Sequence, residues 1–519
     1  MMNKIAHLQA KFIDFIKKPI VRRISFLMIG LTSTIWFLIR VIPKPSRASY
    51  PCMKASAPLM SAFVINVITF FASVSSFRAA QKQFKRAKYL YSCILLLVAL
   101  IIAGIFYFGN PEKVYAVTVN RLSTIPNKPI GVAKGIFPGR VSWAHNPKAA
   151  NWDGSTGFWW DDNNNPQNET DKLLSTSICN LTGKKNEAEA WNALFKYFNN
   201  KKIHSNTGYQ LTEKIAIKIN QNNTDSHANT NEINASPQLV LSLLKSLINY
   251  AGIPQKNITV FDASRFITDN IFLKCHTAFP GVNFIDNVGG DGRLKASYVD
   301  NAIPYSINNG KVARGLASCA VEADYLINMA ILKGHVGGGV TLCGKNYYGC
   351  TNIYNDWKLN AHDNFSVSQT GKPQYLTFVD FLGHKDLGNK TMLFLIDGIY
   401  GCKYVNGIPK FKMEMKPFIK NWPSSLFASQ DPVAIDAVGT DFIINEWPDA
   451  PDLKDCEQYL VESALANHPP SGTKYDPERD GTALQSLGVF EHWNNSRDKQ
   501  YSGNLKTSKG IELIYNRVE

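Results

Sequence analysis

The sequence predicts an α/β protein in which N-terminal transmembrane helices precede a large domain with a mostly parallel β-sheet. Three apolar stretches open the 519-residue chain, a strand–loop–helix–strand unit follows them, and strands and helices then alternate. Such alternation is typical of parallel strands joined by crossover helices. The length is sufficient for two or three domains.

The positive charge of the chain is concentrated near its N-terminus. The formal net charge is +15, and residues 1–115 carry 16 Lys and Arg against only Asp14 and Glu112. Residues 116–519 are therefore almost neutral, which argues against nucleic acid as a partner. We predict a membrane region over residues 1–115 and one large α/β domain over residues 116–519.

Three apolar stretches, 24–41, 59–77 and 89–108, predict membrane-spanning helices. Each is close to the ~20 residues that a helix needs to cross a bilayer. Lys and Arg are abundant before the first stretch and between the second and third, and the positive-inside rule places such segments in the cytoplasm. We expect a membrane as partner, three crossings and an extracytoplasmic large domain; buried helices of a soluble core are the alternative.

Residues 126–200 are rich in Asn, Trp and Gly and predict an ordered loop layer, since five Trp in so short a segment favour packing over disorder. Asp161 and Asp162 stand beside three Asn residues. Carboxylate and amide oxygens suit a hard cation, and a solvated turn is the alternative.

The large domain contains a clear β–α–β unit. Residues 214–220 alternate as a half-buried strand does, Ser236-Pro237 predicts a helix start, Gly252 predicts its end, and residues 258–262 predict the next strand. Residues 323–332 and 391–397 predict further strands. A helix is predicted after Asp431-Pro432, with Asp431 as its N-cap.

Polar segments follow three of the predicted strands: residues 218–232, residues 333–349, and Asp397-Gly398. Ligands of open parallel sheets bind beyond the carboxyl ends of the strands. We therefore expect His335, Lys345 and Asp397 to converge on one functional centre.

The second segment contains Gly339-x-x-x-x-Gly344-Lys345-Asn346, one residue from a phosphate-binding P-loop. Asn replaces the Ser or Thr that holds Mg²⁺, which argues against nucleotide hydrolysis. Backbone N–H groups with Lys345 remain suited to an anion. His335 and His362 flank this segment and could transfer protons or bind a transition metal.

Cysteine usage argues against several cofactors. No C-x-x-C occurs, so an internal ferredoxin-type cluster and a zinc ribbon are disfavoured. Cys343 and Cys350 could pair in an oxidising compartment. The cofactor stays unknown, with a transition metal as one candidate.

The segments LINMAILKGHVGGGVTLCGKNYYG, SQDPVAIDAV and IKIN resemble the domain of unknown function 362 family, over about residues 130–490. Some members of that family carry ferredoxin cysteine motifs, which this chain lacks. The resemblance implies an α/β domain built around the Lys-Gly-His, Gly-rich and Lys-Asn signature.

The order of strand, long loop, capped helix, strand and Gly-rich segment is also similar to the N-terminal half of the nickel-pincer lactate racemase family. That resemblance implies proton exchange for His335, cofactor binding for Lys345 and metal ligation for His362. The Thr-Arg-Pro loop of that family is absent, so the racemase reaction is not carried over.

Three function classes follow. The first is an extracytoplasmic enzyme of redox or proton-transfer chemistry with a metal or anion site; the second is a non-catalytic module for a small anionic ligand; the third is a cell-envelope structural protein. The candidate residues are, for catalysis, His335, Lys345 and Asp397; for cofactor binding, Lys218, Asn220, Gly337, Gly338, Gly339, Asn346 and Asp436; and for metal ligation, His335 and His362.

Overall fold

The computed structural model describes residues 19–43, 51–86, 89–98 except 92 and 95, 128–300 except 224, 305–307, 315–352, 373–506 and 510–518. The chain divides into two compact units, Met1–Ile125 and Pro126–Glu519.

The first unit contains two long helices, α1 (Pro19–Val41) and α2 (Pro51–Phe84). Among the residues described, no helix combines the length and the apolar character that a membrane crossing requires, so the crossings predicted at 24–41 and 59–77 are not supported. Most of the third predicted stretch, 89–108, lies outside the described residues.

The second unit is built on a large sheet. The strands are β1 (Ile130–Gly131), β2 (Arg140–His145), β3 (Ile215–Lys218), β4 (Ile258–Asp262), β5 (Asn283–Asp286), β6 (Leu294–Lys295), β7 (Tyr298–Val299), β8 (Leu316–Ala317), β9 (Tyr325–His335), β10 (Gly339–Thr341), β11 (Thr391–Cys402), β12 (Ser425–Ser429), β13 (Val489–Phe490) and β14 (Glu512–Arg517). Ten of them form one sheet in the order β14-β2-β12-β11-β9-β3-β4-β5-β6, with β10 paired to β9.

This sheet is mostly parallel, as the sequence predicted. β12 runs antiparallel to both of its neighbours, and β10 folds back antiparallel on β9. The pairs β11–β9, β9–β3, β3–β4 and β4–β5 are parallel, so the carboxyl ends of these five strands share one edge.

Helices cover both faces of the sheet, which explains why its central strands are apolar on both sides. The helices of the second unit are α3 (Gln167–Thr182), α4 (Glu187–Ile203), α5 (Pro237–Lys245), α6 (Asp269–Ala278), α7 (Ser318–Glu322), α8 (Cys343–Asn346), α9 (Thr377–Gly383), α10 (Pro432–Glu446) and α11 (Gln458–Ala464). On face A, Leu326, Ala330 and Ile396 join the core under α7–α11. On face B, Ile327 and Leu395 join the core under α3–α6.

The β–α–β unit of the sequence is confirmed as β3, α5 and β4. The strands predicted at 323–332 and 391–397 correspond to β9 and β11. Ser236 makes no side-chain cap to α5; instead its backbone N–H donates to Asp397, and α5 continues as a π-helical turn over Ser246–Tyr250. Gly252 has the left-handed backbone expected after a helix end, with φ of 72°.

The predicted N-cap at Asp431 is confirmed, and the same carboxylate also binds backbone groups outside the helix. Its buried carboxylate accepts hydrogen bonds from the N–H groups of Val433 and Ala434 in α10. It also accepts from the N–H groups of Lys134 and Val489, which belong to distant segments. Burial raises the pKa of Asp431 to about 6. This one carboxylate therefore joins three parts of the chain.

The prediction of a loop layer over residues 126–200 is correct only for its middle part, because β1 and β2 come before it and two helices follow it. Residues 146–166 lack regular structure except for turns, but α3 and α4 occupy most of 167–203. Trp159 and Trp191 are fully buried, as the density of Trp suggested. The Trp residues thus anchor helices on face B as well as a loop.

Two smaller expectations are settled by contacts. Asp161 accepts the N–H of Phe158, and Asp162 forms an ion pair with Lys274, so their carboxylates serve a turn and a salt bridge. Cys343 and Cys350 are both buried free thiols rather than a disulfide.

Candidate functional site

The strongest polar cluster of the sheet lies where β3 and β4 end. Lys218 is the last residue of β3 and Asp262 the last residue of β4, and both side chains are almost completely buried. Lys218 Nζ lies 3.0 Å from Asp262 Oδ2. Asp262 also accepts the backbone N–H of Gln221 at 3.1 Å, which fixes the start of the Asn-rich segment after β3. A charge pair therefore sits at the carboxyl edge of two neighbouring parallel strands.

Asn346 connects this pair to the Gly-rich segment. Its side-chain oxygen accepts from Lys218 Nζ and from Asn220 Nδ2, each at 3.1 Å. Its side-chain nitrogen donates to Asn328 Oδ1 of β9 at 2.8 Å. Lys218, Asn220 and Asn346, all predicted cofactor-binding residues, thus meet in one hydrogen-bonded cluster, with Asn328 as an additional member.

The four-residue helix α8 presents Lys345 and Asn346, and Asp436 holds it in place. Asp436 lies in the first turns of α10 and accepts the N–H groups of Cys343 and Gly344, both at 2.8 Å. Tyr459 donates its hydroxyl to the same carboxylate at 2.9 Å. Burial raises the pKa of Asp436 to about 6. Asp436 therefore fixes the position of α8, and with it Lys345 and Asn346, against α10.

Gly349 allows the closest approach within this cluster. A Cβ at this position would collide with the amine end of Lys218 and would lie 2.6 Å from Asp262. Its carbonyl oxygen accepts the N–H of Ala263 just after β4. A side chain at Gly349 would displace the Lys218–Asp262 pair.

The electrostatics of Lys345 distinguish it from an ordinary surface lysine. The side chain is half-buried, and its Nζ lies 5.5 Å from the centre of the Tyr348 ring. Burial, together with the charges of Arg265 and Lys218, lowers the pKa of Lys345 to about 7, and the charge of Asp262 opposes this shift. At neutral pH this amine is poised between its protonated and neutral forms.

Lys333 is a further cation that the sequence analysis did not select. It lies in β9, is fully buried, and donates to Asn222 Oδ1 at 2.9 Å and to the carbonyl oxygen of Val405 at 2.8 Å. Burial holds its pKa well below the usual value, and the charges of Lys345 and Arg265 act in the same direction. Lys333 therefore places a buried amine beside Asn222 in the Asn-rich segment that follows β3.

Asp397 faces the other side of the sheet. Residues 393 and 395 of β11 belong to face B, so alternation places Asp397 there too, whereas α8 packs on face A. Its buried carboxylate accepts the N–H of Ser236 at 2.8 Å and of Ile399 at 3.1 Å. Burial raises its pKa. These contacts hold the start of α5, and a catalytic role for Asp397 stays a prediction.

His335 lies at the far end of β9, away from Asn346. It is seven residues beyond Asn328, a distance of about 23 Å along an extended strand. Its Nδ1 contacts the carbonyl oxygen of Val336, and its backbone pairs with Gly339 in the β9–β10 hairpin. We call residues 335–339 the His end and residues 343–346 the Lys end of the Gly-rich segment.

The glycines of the His end form the hairpin turn. Gly337 and Gly339 have φ of 83° and 71°, which glycine adopts readily. Gly337 donates its N–H to the carboxylate of Asp452, and a Cβ at Gly339 would collide with Cys456. The backbone conformation here serves the turn, and anion binding by Gly337, Gly338 and Gly339 stays a prediction.

The metal site of His335 and His362 stays a prediction. No group of three or more His, Cys, Asp or Glu in the described part of the chain is placed to hold a metal ion. His362, predicted with His335 as a metal ligand, lies outside the described residues.

The fold and the cluster define the class of this protein: an α/β domain with a mostly parallel sheet and a cationic, Asn-rich site at its carboxyl edge. Residues 215–441 match the model of a family described as Domain of unknown function (DUF362), which supports the family predicted from the motifs. The matched range begins at β3 and ends within α10, so it includes Lys218, Asn346 and Asp436. Comparisons with curated proteins and with solved structures found no match.

Sequence reasoning missed four residues of this site, and three of them carried a signal. Asn328 and Lys333 are polar residues inside the otherwise apolar strand LINMAILKGH, and Asp262 closes the apolar strand ITVFD. A polar residue in a strand buried on both faces needs a partner, which marks it as a member of a cluster. Arg265 lies in the loop after β4 without such a signal.

Proposed function

We propose that this chain binds a small anionic ligand at the carboxyl edge of β3, β4 and β9, and that Lys345 exchanges a proton with that ligand. The observation that carries the proposal is the electrostatic state of Lys345: its pKa is lowered to about 7 by burial and by the positive charges of Arg265 and Lys218. An anion placed against these groups would relieve their mutual repulsion. The enzyme hypothesis is therefore favoured over a purely structural role.

In this proposal Lys218 and Arg265 bind the ligand, and Lys345 transfers the proton. Lys218 is held by Asp262 and Asn346, so it supplies a fixed charge rather than a mobile base. Arg265 is half-buried and provides a planar donor set suited to a carboxylate. Lys345, neutral in about half of the molecules near pH 7, is suited to take a proton from a carbon acid whose negative charge the neighbouring cations stabilise.

Binding is tested by calorimetry with inorganic phosphate and with pyruvate as probes. We expect Arg265→Gln to weaken binding of both by roughly tenfold, because an ion-pairing hydrogen bond is lost. Lys214→Gln is the matched control, since Lys214 lies at the opposite end of the β3 segment and is exposed. Equal affinity in Arg265→Gln and in Lys214→Gln would contradict the proposed location.

Proton transfer is tested by deuterium incorporation into the methyl group of pyruvate in D₂O, followed by NMR. Lys345 would remove one methyl proton, the resulting enolate would be held by the cations, and a deuteron from the exchanged ammonium group would return to carbon. We expect exchange to rise with pH through a midpoint near 7 and to be lost in Lys345→Met. Binding without any Lys345-dependent exchange would instead favour the second candidate, an anion-binding module, because the Lys218 cluster alone is sufficient for binding.

Attachment to a membrane is a separate proposal supported by the sequence alone. Residues 89–108 contain no charged residue and have aromatic residues at both ends. The expected result is that the full chain stays in the membrane fraction after alkaline carbonate extraction. Release into the soluble fraction would contradict it.

A further inference from the structure

A cavity of about 420 Å³ lies at the β14–β2 end of the sheet, away from the Lys218 cluster. Its floor is formed by Trp143 of β2 and by Leu513 and Tyr515 of β14, and its walls come from residues 416–417, 497–500 and 504. β2 and β3 are four strand spacings apart, or about 19 Å. Its volume falls within the ~300–1,000 Å³ of small-molecule sites. This cavity is thus distinct from the site proposed above.

The floor of the cavity is a rigid aromatic surface. The ring centres of Trp143 and Tyr515 are 4.5 Å apart with an angle of 49° between the ring planes, and Trp143 also packs edge-on against Phe442 at 4.9 Å. Trp143 is only 3% exposed, so it supports the ring of Tyr515 from behind. Trp143 donates its indole N–H to Ser425 at 2.9 Å, so its polar atom is already bonded. Tyr515 remains 41% exposed, which is high for an aromatic residue that faces a cavity. Such a surface is suited to a flat apolar group.

The wall of the cavity is positively charged. Lys416, Arg497 and Lys499 line it together with one carboxylate, that of Asp498. Asp498 accepts a hydrogen bond from Arg497 Nε at 3.0 Å, which engages one of the five guanidinium N–H groups. The Arg497 side chain is 66% exposed. Two cations of this wall are therefore in excess of the acid.

Lys499 is the buried member of this wall. It is 6% exposed and donates to the carbonyl oxygen of Lys416 at 2.7 Å, which joins the two sides of the cavity. Burial lowers the pKa of Lys499 to about 8, against the charges of Glu446 and Asp498. Asn504 binds the backbone of Leu513 through both of its side-chain atoms and fixes the wall to β14. Hydrogen bonds within the fold thus hold the walls of the cavity in place.

We propose that this cavity binds a small organic anion with a flat aromatic body, placed with its ring on Tyr515, which Trp143 supports, and its charge toward Lys416 and Arg497. Indole-3-acetate is the simplest probe of this chemistry, since it combines one carboxylate with one planar ring. The proposal is independent of the anion site at β3 and β4, because none of the residues is shared.

Calorimetry on the full chain tests this site with indole-3-acetate, neutral indole-3-acetamide and acetate. We expect indole-3-acetate to bind at least tenfold more tightly than either control, because only it satisfies both the wall and the floor. The double variant Lys416→Gln/Arg497→Gln should weaken its binding by roughly tenfold or more. Lys185→Gln, an exposed lysine between α3 and α4, is the charge-matched control and should leave binding unchanged.

Three results would overturn the proposal. Equal binding of indole-3-acetamide would remove the role of the cationic wall, and undiminished binding by the folded double variant would place the ligand elsewhere. Loss of binding in Lys345→Met would assign the ligand to the first site. Absence of any binding by wild type in the millimolar range would leave the cavity without this class of ligand.

Discussion

The His end and the Lys end of the Gly-rich segment lie only four to eleven positions apart in the sequence, yet they occupy different environments. The Lys end, residues 343–346, is held by the buried carboxylate of Asp436 and joined through Asn346 to β3 and β9. The His end, residues 335–339, is a hairpin turn whose N–H at Gly337 is bonded to the exposed Asp452. The Lys end is thus anchored from three directions, whereas Val336 of the His end is exposed although His335 itself is buried.

This difference teaches that proximity in sequence does not make a site. β10 folds back on β9, so the chain needs only a few residues to return from the tip of β9 to the level of Asn328. The Lys end therefore lies beside the carboxyl ends of β3 and β4, whereas His335 lies at the carboxyl end of the longer strand β9. The following variants test this contrast.

The largest expected effect comes from the anchor of the Lys end. Asp436→Asn places an N–H₂ group or a weaker acceptor against two buried N–H groups, and we expect it to lower the free energy of unfolding by about 3 kcal/mol. Asp452→Asn, the matched change at the His end, should cost less than about 0.5 kcal/mol because its carboxylate is exposed. Urea denaturation measures both. Equal costs would break the contrast between the two ends.

The second largest loss of stability is expected at Asn346, which is hydrogen-bonded to Lys218, Asn220 and Asn328. Asn346→Leu keeps the approximate volume but removes the hydrogen bonds that Asn346 accepts from Lys218 and Asn220 and the one that it donates to Asn328. We expect a loss of about 2 kcal/mol in the free energy of unfolding, together with weaker binding of phosphate. Thermal and urea denaturation with a phosphate titration provide the measurement. A loss below about 0.5 kcal/mol would show that the cluster is not a structural unit.

A smaller and pH-dependent effect is expected at Lys345. Because its pKa is lowered from 10.5 to about 7 in the folded protein, the unfolded chain binds this proton more tightly. The burial penalty is then fully present below pH 7 and is relieved as the pH rises toward 10.5. Lys345→Met should raise the free energy of unfolding by about 1 kcal/mol at pH 6, and the gain should vanish near pH 10. A gain that grows with pH would contradict the lowered pKa.

The smallest effect is expected at His335. If the two ends act separately, His335→Gln should change the rate of pyruvate deuteration by less than twofold, because the ring is far from Lys345 along β9. NMR in D₂O at pH 7 measures the rate beside wild type. A loss comparable to that of Lys345→Met would restore the predicted common centre of His335 and Lys345.

Periodicity predicted much of the fold. Alternating Ile residues identified β3, the apolar runs identified β9 and β11, and Asp431-Pro432 identified the start of α10. These signals are local, because a strand or a capped helix is written in residues that are near each other in sequence. The helices α3 and α4 were missed because their many polar residues and the preceding Asn-rich loop obscure the apolar stripe.

Part of the candidate site was also predictable. Lys218, Asn220 and Asn346 were identified from their positions after strand ends, and they do meet. Asp436 was expected to approach the ligand, yet it binds backbone N–H groups of the loop. The hydrogen-bond partners of Asp436 could not be inferred from the sequence, because they depend on the packing of α10 against α8.

The sequence by itself determined several elements, among them β3, β9, β11 and the start of α10, where the charge lies, and that Lys345 and Asn346 follow a strand of a parallel sheet. Only the tertiary structure decided which face each side chain occupies and which buried groups meet. Asp397 illustrates the reason: strand alternation with the order β12-β11-β9 assigns it to face B and to α5, on the side opposite to α8. Burial against distant neighbours likewise lowers the pKa of Lys345 to about 7, because desolvation and the charges of Arg265 and Lys218 arise only when the strands pair.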